Sequence, residues 1–543
     1  MARRRRSSTP PLRCYVVRQI DNLGLHAGAP GRMGHRRVAH GRTRALHRVL
    51  LLSCLAALPG LPLRAAAPRS VTFTPCAIAT PGQSQLWVDL TGDGRLDLCL
   101  LQQRELRLFR QRPESGFAAE PDRTWPLPSL APCVLWHAIL TEAGPARLLI
   151  LTATGVAELV LPEGEGPLTC RPLLARRTVL PEAGSGEPTF FPFALAGPPG
   201  VPSVLVLPEP DAVSGWAPDA AGAYLPLGRL AVDLPRQLAG PDPLAVYRQL
   251  TTYTAEPADL NRDGLEDILI SGRAANGDTC FSGFLQRQTP PRLATRPDFS
   301  LALPLTDMEC VQFVPRAPGT LPLVIRAQNP KEPWLLPGTF SPKVLVRLYT
   351  LEPQTGALGA EPVATFRKSD WSPWTPAADI DGDGEPDLVL GYLRFRGRDD
   401  IVNLIRTCSM GLSLRTHRHA AAGYASEPDA EREVTLSVER VQFQFGFDKM
   451  ASLVRRYLSL DGDFDGDGRR DLLLRHSDDG ISIFTYEPRR GDFSQRPTQR
   501  LRVENATELL VRDLNGDGVS DLVVPCRGRP LLVFLSSVRG GRP

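Results

Sequence analysis

The stretch Asp513–Val524, "DLNGDGVSDLVV", sets three aspartates and an asparagine into nine residues and runs straight into apolar residues. Oxygen-bearing side chains crowded so closely repel one another unless something positive sits among them. The pattern recurs as "DLTGDGRLDLCL" from Asp89, "DLNRDGLEDILI" from Asp259, "DIDGDGEPDLVL" from Asp379 and "DFDGDGRRDLLL" from Asp463. With the first aspartate as offset 0, oxygen side chains stand at offsets 0, 2, 4 and 8. Glycine stands at offset 5, and three apolar residues follow offset 8.

A hard cation answers this donor set. Carboxylate and amide oxygens at alternate positions, with one backbone carbonyl at offset 6, supply the six to eight oxygen ligands that Ca²⁺ takes, whereas Mg²⁺ demands octahedral geometry and keeps its waters. Glycine at offset 5 permits the sharp turn. The candidate ligands are Asp89, Thr91, Asp93 and Asp97; Asp259, Asn261, Asp263 and Asp267; Asp379, Asp381, Asp383 and Asp387; Asp463, Asp465, Asp467 and Asp471; and Asp513, Asn515, Asp517 and Asp521. Four to five Ca²⁺ ions are expected, Thr91 making the first site the weakest. An EF-hand would close with glutamate at the twelfth residue. The twelfth residues here are Leu100, Ile270, Leu390, Leu474 and Val524, which excludes it. The apolar residues instead read as short buried strands.

These five loops resemble the FG-GAP/VCBS repeat family, whose calcium-loop blades also build the β-propeller of integrin α chains. The resemblance implies that each loop joins two strands of a blade and that Ca²⁺ braces the joint. The loops are 170, 120, 84 and 50 residues apart, so the longer gaps call for blades that lack the motif. Cys133–Leu161, Phe190–Leu207 and Cys310–Ala327 share the strand–turn–strand layout and make eight units. The expected fold is all-β, a seven- or eight-bladed propeller with eight favoured, occupying 68–543 as one domain. Arg69–Cys76 reads as a lone strand that completes the last blade and closes the ring. On that reading Cys76 and Cys526 come close. Cys133–Cys170 and Cys280–Cys310 are near enough in sequence to be candidate local disulfides. Ala420–Val438 reads as an insertion feeding a strand.

Residues 1–67 differ in kind from the body. They hold 13 Arg and one acid, which leaves 50 basic and 58 acidic residues for the remainder, a net charge of −8. A mildly acidic body with no basic run argues against nucleic acid as partner. Val49–Leu63, "VLLLSCLAALPGLPL", follows Arg42, Arg44 and Arg48 and precedes "RAAAP", the layout of an export signal. Counted from Met33 the basic region has an ordinary length, so Met33 is the expected start. "LLSC" ending at Cys54 offers a second reading, a lipid anchor. No segment beyond residue 70 has the length and apolarity of a transmembrane helix.

Catalytic arrangements are scarce. The sequence has no G-x-S-x-G, H-E-x-x-H or P-loop. His417 and His419 would make a metal pair only if both faced one side of a strand. Arg490-Gly491-Asp492 spells an integrin-recognised tripeptide that a hairpin loop explains as well. Asn505-Ala506-Thr507 is a glycosylation sequon in a eukaryotic secretory route. Trp371 and Trp374 suit either packing between blades or a carbohydrate surface. The expected function is an exported calcium-binding propeller acting as a binding, adhesion or scaffold module, periplasmic, secreted or at the cell surface, with a protein or glycan ligand and no catalytic residues. The alternative is a calcium-dependent carbohydrate-active enzyme of polysaccharide-lyase type.

Overall fold

In the second strand of the first acidic unit, Asp97–Gln102, side chains alternate between two neighbours. Cys99 and Leu101 enter one apolar cluster, Leu98 and Leu100 the other. Period-2 geometry points successive side chains to opposite faces. When both faces are buried, the strand reads as an unbroken apolar run rather than as an alternation. Asp521–Val524 behaves likewise: Leu522 and Val524 face one cluster, Val523 the next.

The computed structural model describes residues 51–52 and, outside a set of excepted segments of which 181–188, 232–255, 329–343, 394–405 and 438–453 are the longest, residues 71–538. Every named element in them is a β-strand. Besides two small two-stranded hairpins, the described strands form eight sheets, the blades of a propeller, antiparallel except where Leu51–Leu52 and Thr189–Phe190 add in parallel. Blade 1 comprises Ser84–Val88, Asp97–Gln102, Glu105–Phe109 and Arg123–Pro126; blade 2, Leu135–Thr141, Gly144–Thr152, Gly155–Val160 and Thr169–Ala175. Blade 3 has Ala194–Leu195, Val204–Glu209, Ala212–Pro218 and Tyr224–Ala231; blade 4, Glu256–Ala258, Asp267–Arg273, Thr279–Phe284 and Phe299–Leu303. Blade 5 has Glu309–Val314, Leu323–Gln328, Val344–Thr350 and Ala364–Lys368. Blade 6 opens with Trp371–Trp374 and Ala377–Ala378, then Asp387–Leu393, Ser409–His417 and Ala430–Ser437. Blade 7 has Leu458–Gly462, Asp471–His476, Gly480–Phe484 and Gln499–Arg502.

Blade 8 takes Leu510–Arg512, Asp521–Val524 and Leu531–Val538 from the C-terminal region and its fourth strand, Val71–Ile78, from the other end. The two long strands pair antiparallel from Val71 opposite Val538 to Ile78 opposite Leu531. The three units read without the acidic motif are blades 2, 3 and 5, and the expected eight-fold closure is what the chain adopts. Eight apolar clusters fill the ring, each built from two neighbouring blades. The cluster between blades 8 and 1 is the seam, where Ile78 and Val533 meet Trp87 and Phe109.

Two expectations about cysteines are corrected. Cys76 and Cys526 are free thiols because they lie on opposite faces of blade 8, Cys76 toward blade 1 and Cys526 toward blade 7. Cys170 and Cys280 are also free, so neither Cys133–Cys170 nor Cys280–Cys310 is bridged. Cys170 lies on the fourth strand of blade 2, and Cys133 lies outside the described residues. Cys280 and Cys310 belong to different blades.

The insertion in blade 6 is a small hairpin, His419–Ala420 with Gly423–Tyr424, leading to the fourth strand. Leu51–Leu52 runs parallel to Gln312–Phe313 on the free edge of blade 5. The rest of 1–70, Cys54 included, lies outside the described residues.

If the closing strand holds the seam, Ile78→Ala should destabilise the protein by about 2–4 kcal/mol, the range for truncating a buried Ile. Thr74→Ala, exposed on the same strand, should stay within about 0.5 kcal/mol of wild type. Urea midpoints of the two variants check this.

Candidate functional site

All five acidic loops occupy one structural position, the connection between the first and second strands of blades 1, 4, 6, 7 and 8. First strands of neighbouring blades approach one another at several joints, which places these connections toward the axis of the ring. Each loop winds around its own first aspartate. Asp463 accepts the N–H of Gly466 on Oδ1 and that of Gly468 on Oδ2, both at 2.7 Å. Asp89, Asp379 and Asp513 accept the same two amides at 2.6–3.0 Å. Asp259 accepts Asp263 N–H at 3.0 Å and Gly264 N–H at 3.1 Å. The offset-5 glycines have φ between 82° and 91°, a left-handed conformation that favours glycine.

The offset-8 aspartate has a task that spacing alone did not reveal. Its Oδ2 accepts the amide N–H at offset 1: Leu90 to Asp97, Leu260 to Asp267, Ile380 to Asp387, Phe464 to Asp471 and Leu514 to Asp521, at 2.7–3.1 Å. Its Oδ1 accepts an amide just beyond or near the end of the third strand: Gln111, Gln286, His419, Tyr486 and Ser536, at 2.6–3.0 Å. One buried carboxylate thus ties the loop to two parts of its blade. The signal was present as a conserved offset within the chain, but its partners lie 14 to 32 residues away.

Burial is expensive for these charges. Desolvation first, and neighbouring carboxylates second, push Asp97 up to about 6, Asp387 and Asp521 to about 7 and Asp267 to about 8, with backbone N–H bonds opposing. Asp471 is raised well above the usual carboxylate range for the same reasons. Asp465 is pushed to about 7 by desolvation and by Asp467 and Asp463.

In blades 6 and 7 the carboxylates converge. One oxygen each of Asp379, Asp381 and Asp387, and one each of Asp463, Asp465 and Asp471, lie within 4.8 Å of one another. Such all-oxygen, uncompensated groups fit a hard cation. The offset-4 aspartates close a second turn: Asp383 accepts Glu385 N–H at 2.8 Å and Asp467 accepts Arg469 N–H at 2.9 Å. In blades 4 and 8 the offset-2 residue is an amide, and its Nδ2 turns to the offset-4 carboxylate, Asn261 to Asp263 at 3.2 Å and Asn515 to Asp517 at 3.3 Å. In blade 1 the Thr91 hydroxyl donates to Asp89 at 3.3 Å. Among the described residues, the three-acid groups are those of blades 6 and 7.

Neighbouring loops are also joined to each other. Arg470 N–H donates to Ile380 O at 3.3 Å, Ser520 N–H to Asp463 O at 2.7 Å and Leu96 N–H to Leu514 O at 2.8 Å. The ring makes the loops of blades 6, 7, 8 and 1 contiguous, although Asp89 is the farthest of them in sequence.

The other candidates fare differently. His417 is buried, its ring 4.3 Å from that of Phe366 and Nδ1 3.1 Å from Ala425 O, and desolvation lowers its pKa. His419 belongs to the separate hairpin and packs edge-on against Tyr424. The strand ends at His417, so the two histidines form no metal pair. Arg490-Gly491-Asp492 is a hairpin turn with Gly491 at φ 63°; Asp492 faces Arg432 of blade 6 at 3.7 Å and Arg490 faces Glu487 at 3.6 Å, so the tripeptide is held against its own blade and the preceding one. Asn505 is exposed. The side chains of Trp371 and Trp374 lie outside the described residues.

Residues 463–524 match the family model of the FG-GAP-like repeat. That span runs from the loop of blade 7 through the loop of blade 8, and it bears out the resemblance read from the motif. No curated protein matches the chain in sequence. Among solved structures the chain is similar to an Agrocybe aegerita lectin that recognises non-reducing terminal N-acetylglucosamine, at 12% identity over 84% of this chain and 86% of that one, with a TM-score of 0.36. It is also similar to Saccharomyces cerevisiae Sqt1, at 8% identity over 87% of this chain and 100% of that one, with a TM-score of 0.40.

The buried carboxyls give a signed pH dependence. Unfolded, they ionise near 3.9; folded and metal-free, Asp97, Asp387, Asp521 and Asp267 keep their protons to about 6, 7, 7 and 8. Between those limits the folded state binds more protons, so stability present at low pH is lost as pH rises through the folded values. In EDTA the melting temperature should fall from about pH 5 to about pH 8. A flat or rising profile in a pH-series melt would show these carboxyls already ionised in the folded protein.

Proposed function

We propose that this protein is an exported propeller whose loops bind Ca²⁺ and whose blades serve as a binding, adhesion or scaffold module at the cell surface or in the periplasm. The observation that carries the reading is the convergence of Asp379, Asp381 and Asp387, and of Asp463, Asp465 and Asp471, within 4.8 Å. Calcium would supply two positive charges to each set and displace the protons that burial now favours. The offset-0, -2 and -8 side chains would hold the ion, joined by Asp383 or Asp467 and by the offset-6 carbonyl. Blades 1, 4 and 8 offer less charged versions of the same set.

The acids therefore belong to the scaffold. Their oxygens are engaged by loop and strand amides, which favours bracing over service as an acid and base pair in glycoside cleavage. The unfolded chain cannot gather these ligands, so each ion bound to the folded state stabilises it by mass action. Export is supported by the apolar segment 49–63 with arginines before it. No helix among the described residues is long and apolar enough to cross a membrane.

Calcium at 100 times its dissociation constant should stabilise the protein by about 2.7 kcal/mol per site, and EDTA should remove the gain. Asp465→Ala should lower the bound calcium by one ion per chain in elemental analysis, with a smaller calcium-induced melting shift. An unchanged melt in EDTA, with no calcium in the purified protein, would overturn the reading. For the partner, a glycan array run beside an activity assay on acidic polysaccharides should give binding without cleavage.

A further inference from the structure

Four of the five loops carry glycine at offset 3: Gly92, Gly382, Gly466 and Gly516, at φ 76°, 82°, 71° and 74°. Blade 4 carries Arg262 there, at φ 53°. A residue with a Cβ is disfavoured in this left-handed conformation, so the surroundings must hold it there. Arg262 is also 3% exposed, an unusual place for a guanidinium. Its Nη1 donates to the carbonyl oxygen of Gly384 in the loop of blade 6, and its Nε and Nη2 have no acceptor. The charges facing it are Asp259 of its own loop and Asp379 and Glu385 of blade 6, with Arg470 of blade 7 opposing.

Blades 4 and 6 are not neighbours. Blade 5 stands between them, and its own connection at this position, residues 315–322, contains no acid. Arg316 in that connection pairs with Glu385 at 3.4 Å. On the far side of the blade 6 loop, Arg469 of blade 7 donates Nε to Asp381 O at 3.1 Å and pairs with Asp467 at 2.8 Å. The most acidic stretch of the ring is therefore flanked by arginines from three other blades, and Arg262 alone among them is both buried and strained.

We propose that Arg262 is a built-in counter-ion shared by the loops of blades 4 and 6, holding them together past blade 5, whose own connection carries no acid, whether or not a metal is bound. Glycine at this position would avoid both the backbone strain and the burial of two unpaired donors. Attraction to three carboxylates and the bond to Gly384 oppose those penalties, and burial, the largest influence, still lowers the guanidinium's pKa. The inference stands apart from the calcium reading, because the contacts that carry it involve no ion.

The test is thermal melting of the full chain in EDTA. Arg262→Lys and Arg262→Met keep a long side chain and the same backbone strain but differ in charge. Lysine should melt within about 1 °C of wild type, and methionine roughly 2–5 °C lower. Arg262→Gly, which relieves the strain, should also melt below wild type. Methionine melting at or above lysine, or glycine at or above wild type, would overturn the proposal. Loss of folding in the methionine variant alone is the expected result in its strongest form. Loss in both the methionine and lysine variants overturns it, since charge would then not suffice. EDTA is present throughout, so failure of the protein to bind calcium leaves these outcomes unchanged.

Discussion

Each blade buries both faces, and a sheet with two apolar faces has to be followed by another sheet on either side. Ring closure is the arrangement that meets this demand without leaving a terminal apolar face in water. The pairing of Val71–Ile78 with Leu531–Val538 meets it with strands from opposite ends of the chain. Every inter-blade cluster depends on this seam, because opening it exposes one face of blade 1 and one of blade 8.

The acidic loops turn the ring into a tied structure. A propeller of separate antiparallel sheets has side-chain packing between blades but little backbone bonding across them. Here Leu96, Arg470 and Ser520 each send an amide proton to the neighbouring loop's backbone, so the loops act as hoops around the axis. The buried aspartate at offset 8 anchors each hoop to the third strand of its own blade. Charge is the consequence of that design: carboxylates compact enough to organise a loop also repel, and protons, metal ions or arginines have to answer them. Blades 6 and 7 carry the densest acids and are also where Arg262, Arg316 and Arg469 come in.

Much of this was legible from residues. The pattern "DFDGDGRRDLLL" specifies a turn, a set of oxygens and a strand within twelve positions, and all three are local properties. The blades without the acidic motif were legible too, from apolar runs broken by turns in 133–161, 190–207 and 310–327. The cysteine pairings were not. Cys76 and Cys526 share a blade, but side-chain direction put them on opposite faces. The histidine pair failed because the strand stops at His417, a boundary set by the hairpin that follows.

The loop chemistry, the all-β class and the need for closure are readable in the order of residues alone, because each follows from neighbours along the chain. Folding in three dimensions adds that the offset-8 aspartates serve the third strand, that the loop of Asp89 adjoins that of Asp513, and that Arg262 reaches past a whole blade to Gly384. Those relations join residues up to 418 positions apart, as Leu96 and Leu514 are. Their physical origin is the curvature of the ring, which brings every first strand toward one axis and has no counterpart in local sequence.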